Sequence, residues 1–139
     1  MSAGVVAWSG ARGGLRAGAA ADAEEPSILR VNPEDGAVGV FRDTPVIVSL
    51  SHPVDLDSLT PGALRVETSD GSVVEGRVVP SPDGAVLIWT ATSALTAGAV
   101  HFVALRGLRD RRGLDLNPHV TRFVPCDLTL ADLFLLDRS

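Results

Sequence analysis

The chain has 139 residues, 45% of them apolar and 21% charged, with a formal net charge of −5. That length supports one domain with a core of its own. The negative balance excludes a general nucleic-acid binder, whose phosphate contacts need a basic face, the single cysteine excludes an internal disulfide, and no apolar run reaches the ~20 residues of a membrane-spanning helix.

Residues 1–26 are dominated by Gly, Ala, Ser and Arg without a sustained period. The apolar run at residues 4–8 is shorter than the ~7–15 residues of an export-signal core, and Arg12 and Arg16 follow it. Residues 17–23 are nonetheless small, as near a cleavage site. Two readings stay open: a flexible tail, or the remnant of an export signal.

From Ser27 the pattern becomes short alternating runs between turns. Residues 28–32 form the first expected strand, with Leu29 and Val31 on one face. Asn32-Pro33-Glu34-Asp35-Gly36 then supplies turn chemistry. Residues 45–51 alternate clearly, with Val46, Val48 and Leu50 facing inward. Residues 51–62 read as a loop with one helical turn capped by Asp55 or Asp57. Leu64 and Val66 then face the core, and Ser69-Asp70-Gly71-Ser72 predicts a hairpin into residues 73–79. A second turn, Ser81-Pro82-Asp83-Gly84, leads to Leu87 and Trp89. His101, Val103 and Leu105 share one face of the next strand, and residues 119–124 form the last. About seven short strands, with turn signals every ~8–12 residues, predict an all-β, Ig-like antiparallel sandwich over residues 27–125.

The motifs carry a family resemblance. Residues 33–57 resemble the opening of bacterial Ig-like domains of surface-layer and surface-anchored proteins, "P-x-D-G-A-x-G-V … D-T-P-I-x-V-x-F-S-x-P-M-D". Leu87-Ile88-Trp89-Thr90, Leu95 and Gly98 are similar to the family's "L-x-F-x-P … L-x-x-G". Residues 103–110 are similar to "V-x-V-x-G-L-x-D". Phe41, Leu50, Val54 and His101 stand where the family often has Pro, Phe, Met and Tyr. For His101 the expectation is one buried hydrogen bond, as that Tyr would make. The resemblance implies a non-enzymatic structural or interaction module, exported or at the cell surface. A related family of periplasmic copper carriers opens similarly, "P-A-D-G-A". Its Asp-x-His signature is missing here, since Asn117-Pro118 precede His119, and no His precedes His52.

No residue pattern supports catalysis. There is no nucleophile elbow, no HExxH and no phosphate-cradling loop. His52, Asp55 and Asp57 lie close in sequence, but a Ca²⁺ site needs ~6–8 oxygens, so they read as loop and cap residues. Arg106, Arg109, Arg111 and Arg112 gather in one loop and read as its solvated surface. Cys126 has no motif around it. No cofactor or metal is expected, a small-molecule ligand is disfavoured, and another protein is the expected partner.

Residues 126–139 hold Leu130, Leu133 and Phe134 at helical spacing, with Asp127 or Thr129 as caps, and helix and strand both remain open there. Ile28, Ile47 and Phe102 are assigned to outer sheet faces. The candidate contact residues are therefore Leu130, Leu133, Phe134, Leu135 and Phe102. Either the apolar tail covers an outer face of its own domain, or it docks on another chain.

Overall fold

The computed structural model describes residues 24–130 and 132. The tail at residues 1–23 and the apolar run at residues 133–139, with the helix expected there, lie outside the described residues. The described chain is an all-β sandwich of two four-stranded sheets. Its strands are β1 Ile28–Asn32, β2 Ala37–Val40, β3 Val46–Leu50, β4 Leu64–Thr68, β5 Gly76–Pro80, β6 Val86–Ala91, β7 His101–Leu105 and β8 His119–Pro125. One sheet has the order β1-β3-β6-β5 and the other β2-β8-β7-β4. No helix among the described residues is long and apolar enough to cross a membrane.

The core follows from strict alternation. Val46, Val48, Leu50, Leu87 and Trp89 project from one sheet, and Leu64, Val66, Val103, Leu105 and Phe123 from the other. All ten are buried. Each large aliphatic buried this way stabilises the fold by about 1.5–3 kcal/mol. The inward assignments read from the alternation hold at every one of these positions.

Four expectations change. There are eight strands where seven were expected, because β2 was read as turn. Its sequence, Ala-Val-Gly-Val, is short and unpatterned, and Gly39 takes φ +69° where the register on β8 shifts. Second, Leu29 does not share the inward face with Val31. A register shift between Ile28 and Arg30 turns Leu29 out, 67% exposed, and packs Ile28 against the core instead of on an outer face.

Third, the turn at residues 69–72 forms but does not join two strands of one sheet. Gly71 N–H donates to Thr68 O at 2.9 Å, and Glu67 bridges Val73. The chain then leaves β4 and enters the opposite sheet, where β5 begins at Gly76 and pairs with β6. A close approach explains where β5 starts: a Cβ on Gly76 would lie 2.5 Å from Trp89 Cε2 and Cζ2 and 2.6 Å from Thr90 O. By contrast, the turn at residues 81–84 is a true hairpin between β5 and β6. Fourth, Pro26 is buried although residues 1–26 read as outside the core. It lines a small apolar niche with Leu50, Val54, Leu108 and Leu116.

The loop after β7 closes this end of the sandwich around Asp110, which is 2% exposed. Its Oδ1 accepts the N–H groups of Arg112 (2.9 Å) and Leu114 (3.0 Å). Its Oδ2 accepts Arg112 Nε (2.9 Å) and Nη2 (2.7 Å). Arg112 Nη2 also donates to Glu24 O at 2.6 Å, tying the loop to the incoming chain. Burial by itself would raise the Asp110 pKa. The guanidinium and the two backbone N–H groups outweigh it and hold the carboxyl below its ordinary value of 3.8.

Because the folded pKa is the lower one, this carboxylate stabilises the fold above its ordinary pKa, and that stability is lost as pH falls through the folded value. Urea titrations of the wild type are therefore expected to hold steady above about pH 5 and decline below the ordinary carboxylate range. Asp110→Ala should lose about 3 kcal/mol at neutral pH and show a shallower acid decline. Gly76→Ala should cost about 2 kcal/mol by overpacking against Trp89. Gly62→Ala, where a Cβ meets nothing within 4 Å, should leave stability within about 0.5 kcal/mol.

Candidate contact surface

The outer face of the β2-β8-β7-β4 sheet carries the predicted contact residue Phe102, half-buried on β7. Cross-strand register places Phe102 between Glu67 on β4 and Arg122 on β8, and Ala104 between Arg65 and Val120. Val38 on β2 lies beside Val124. Val38 is 75% exposed and Val120 57% exposed, so apolar side chains on three strands meet solvent. Arg65 and Glu67 form an ion pair on the same face. An apolar centre with a charged surround is the composition of a protein contact surface.

The exit segment after β8 runs to the end of β2. Cys126 N–H donates to Val40 O at 2.8 Å, and Leu128 O accepts Arg42 N–H at 2.9 Å. Leu130 N–H donates to Asp43 Oδ1 at 2.8 Å. Thr129 and Asp132 bond reciprocally, Thr129 N–H to Asp132 Oδ2 at 2.8 Å and Asp132 N–H to Thr129 Oγ1 at 3.2 Å. That is a capping box, and it assigns the cap to Thr129 rather than Asp127. Leu128 and Leu130 are each 40% exposed. Of the other predicted contact residues, Leu133, Phe134 and Leu135 lie outside the described residues.

The remaining polar candidates have structural work. Asp55 caps the 3-10 turn Leu56–Ser58 through Asp57 N–H at 3.1 Å and faces Arg109 at 3.6 Å. His52 Nδ1 lies 2.8 Å from Ser51 Oγ. Arg111 Nη2 donates to Asp83 O at 3.2 Å, while Arg112 holds Asp110 and Glu24. Arg109, Arg111 and Arg112 thus reach three different loops and present no shared grip for an anion. The loop is not merely a solvated surface, since Asp110 organises it from within. Asp83 is held below its ordinary pKa by Ser81 Oγ–H and Ala85 N–H, and Asp70 by Thr68 Oγ–H and Ser72 N–H.

His101 is fully buried and makes the single bond expected of it, Nδ1 to Ala99 O at 2.9 Å. Its ring stacks on Phe123 with centroids 5.4 Å apart. Its Nε2 and the Thr121 hydroxyl are buried without partners among the described residues. Among those residues no three His, Cys, Asp or Glu side chains gather closely enough to hold an ion. A cleft of about 410 Å³ opens between β4 and β5, lined by Leu59, Pro61, Leu64, Val78 and Trp89. Trp89 is 2% exposed there and offers no stacking platform for a sugar.

The reading of the sequence found Phe102 and Leu130 but not Val38 or Val120. Val120 was legible, since it alternates with Thr121 and Phe123. Val38 was hidden because β2 itself was not recognised.

Comparison with known proteins agrees with this architecture. The solved structures it resembles include the S-layer protein rSbsC(31-844), with TM-score 0.59 and 20% identity over 78% of this chain. They also include the L,D-transpeptidase from Mycobacterium smegmatis, with TM-score 0.53 and 23% identity over 74% of this chain. A third is PcoC, a methionine-rich copper resistance protein from Escherichia coli, with TM-score 0.58 and 13% identity over 73% of this chain. The chain spans 15% of the S-layer protein, 41% of the transpeptidase and 99% of PcoC. At these identities the likeness is one of fold. No curated protein matches the chain. The family described as "Bacterial Ig-like domain" matches residues 22–124, and the chain belongs to that family.

Proposed function

We propose that this domain is a non-enzymatic structural and interaction module of a bacterial surface or exported protein, working through protein–protein contact or spacing. The observation that carries the reading is the outer face built by Phe102, Val120, Val124 and Val38, which the domain's own described residues leave in solvent. Family membership and the likeness to an S-layer protein support a place at the cell surface. The absence of a catalytic constellation from the sequence supports a non-enzymatic role. A metal- or glycan-binding carrier is the weaker alternative, because His52, His119, Asp55 and Asp57 stand apart or serve as caps.

A second reading rests on the exit segment. Leu128 and Leu130 are exposed on a backbone pinned to Arg42 and Asp43, and the sequence continues Leu133-Phe134-Leu135-Leu136. In this reading the domain is an accessory subunit that docks on a larger assembly through its C-terminal segment.

Sedimentation of the native-length protein in extracts of its source cells separates the two. Under the first reading, Phe102→Ser with Val120→Ser shifts the protein from a complex to the monomer position, with stability kept within about 1 kcal/mol. Deleting residues 133–139 produces that shift under the second reading. Monomer sedimentation of the unaltered protein would overturn both.

A further inference from the structure

β2 and β8 run parallel, with Ala37 beside Phe123 and Val38 beside Val124. Every other pair of neighbouring strands among the described residues is antiparallel. The parallel ladder continues beyond both ends of β2. Gly36 N–H donates to Arg122 O at 2.8 Å, and Cys126 N–H to Val40 O at 2.8 Å. Arg122 N–H donates to Asp35 Oδ1 at 3.1 Å.

The order of these strands in the chain decides how a pull acts on them. β2 is entered at its N-terminal end from β1, and β8 is left at its C-terminal end by the exit segment. In a parallel pair those two points lie at opposite ends of the ladder. Tension applied between the two ends of the chain therefore drags β2 and β8 in opposite directions along their own axes. The hydrogen bonds between them lie across that direction and share the load. A hairpin pulled from its open ends instead parts one bond at a time.

Both approaches to this ladder are secured. On the entry side Pro26 is buried, Arg112 holds Glu24 O, and Ser27 and Ser51 exchange two bonds, Ser27 N–H to Ser51 Oγ at 2.7 Å and Ser51 N–H to Ser27 O at 2.8 Å. On the exit side Arg42 and Asp43 hold Leu128 and Leu130. We infer that the domain is a tension-bearing link, in which the parallel β2–β8 pair is the element that resists extension between the two ends of the chain. The inference goes beyond the contact surface proposed above and needs only that both ends be held.

Single-molecule force spectroscopy of the full chain, flanked by marker domains, tests it, since forced unfolding reads the unfolding barrier directly. Pulled through its two termini, the wild type should unfold in one step at a force roughly twice that seen with tethers at the N-terminus and at Asp83→Cys in a Cys126→Ser background. That second geometry does not draw β2 and β8 past one another. Val38→Pro, which removes a backbone donor from β2, should lower the terminal-pull force roughly twofold. Asp35→Ala removes only the side-chain acceptor for Arg122, and should lower that force while leaving the thermal midpoint within about 2 °C. Equal forces in the two geometries would overturn the inference whether or not Val38→Pro folds. So would a terminal-pull force unchanged by Asp35→Ala.

Discussion

The buried carboxylate of Asp110 is the group on which the loop end of the sandwich depends. A loop of polar backbone cannot be packed against a core unless its N–H and C=O groups find partners. Asp110 supplies one acceptor group for two backbone N–H groups and one guanidinium. Through that guanidinium the constraint passes to Glu24. Through the bridge between Val54 and Asp110 it passes to the segment leaving β3. The neighbouring bond from Asp55 N–H to Arg109 O, 2.8 Å, and the Ser58 hydroxyl between Asp55 and Arg109 extend it to the 3-10 turn. Three stretches far apart in sequence are thus held by one side chain. The two charges are not equivalent: Arg112 keeps about a third of its side chain in water, whereas Asp110 keeps 1%. Deleting the carboxylate empties the centre of the network, while deleting the arginine leaves an anion in the protein interior.

The sandwich above this end is set by where the chain changes sheets. Two turns of similar composition, at residues 69–72 and 81–84, have opposite outcomes. The second returns the chain along the same sheet because residues on both sides of it pair without obstruction, from Gly76 with Ala91 to Pro80 with Leu87. After the first, Val74 N–H makes one more bond back to Val66 O at 2.7 Å, and the chain then departs. Trp89 fixes the landing point, since its ring occupies the space a side chain at residue 76 would need. The choice between hairpin and crossover is thus made by a tryptophan some distance along the chain and not by the turn.

This explains which parts of the fold were legible in the sequence. Alternation of period two reports a face, and it placed Val46, Val48, Leu64, Val66, Leu87, Trp89, Val103 and Leu105 correctly, with His101 among them. It fails where the backbone leaves the regular pleat. A shift of register turned Leu29 outward, and Gly39 with the shift beside it hid β2. The turn chemistry at residues 69–72 was read correctly as a turn and wrongly as a hairpin, because partner choice is tertiary information. The contact surface was half legible for the same reason: Phe102 is marked by its own strand, but Val38 becomes its neighbour only through the pairing of β2 with β8. Asp110 looked like one of several loop charges. Nothing local distinguishes it from Asp115, and its burial arises from Arg112 and the folded loop around it.

The four outermost strands have a further consequence. Each leaves backbone groups on one side, and each is blunted in its own way. β1 is irregular at Arg30, and β2 is four residues long and irregular after Val38. β4 is partly covered by residues 72–74, and β5 carries exposed Arg77 and ends at Pro80. Unprotected margins of this kind would let molecules join strand to strand into continuous aggregates. With every margin dulled, the broad flank of the sheet is left as the way for one folded molecule to meet another. Crowding many such molecules together would then favour discrete, face-selected contacts over open-ended growth.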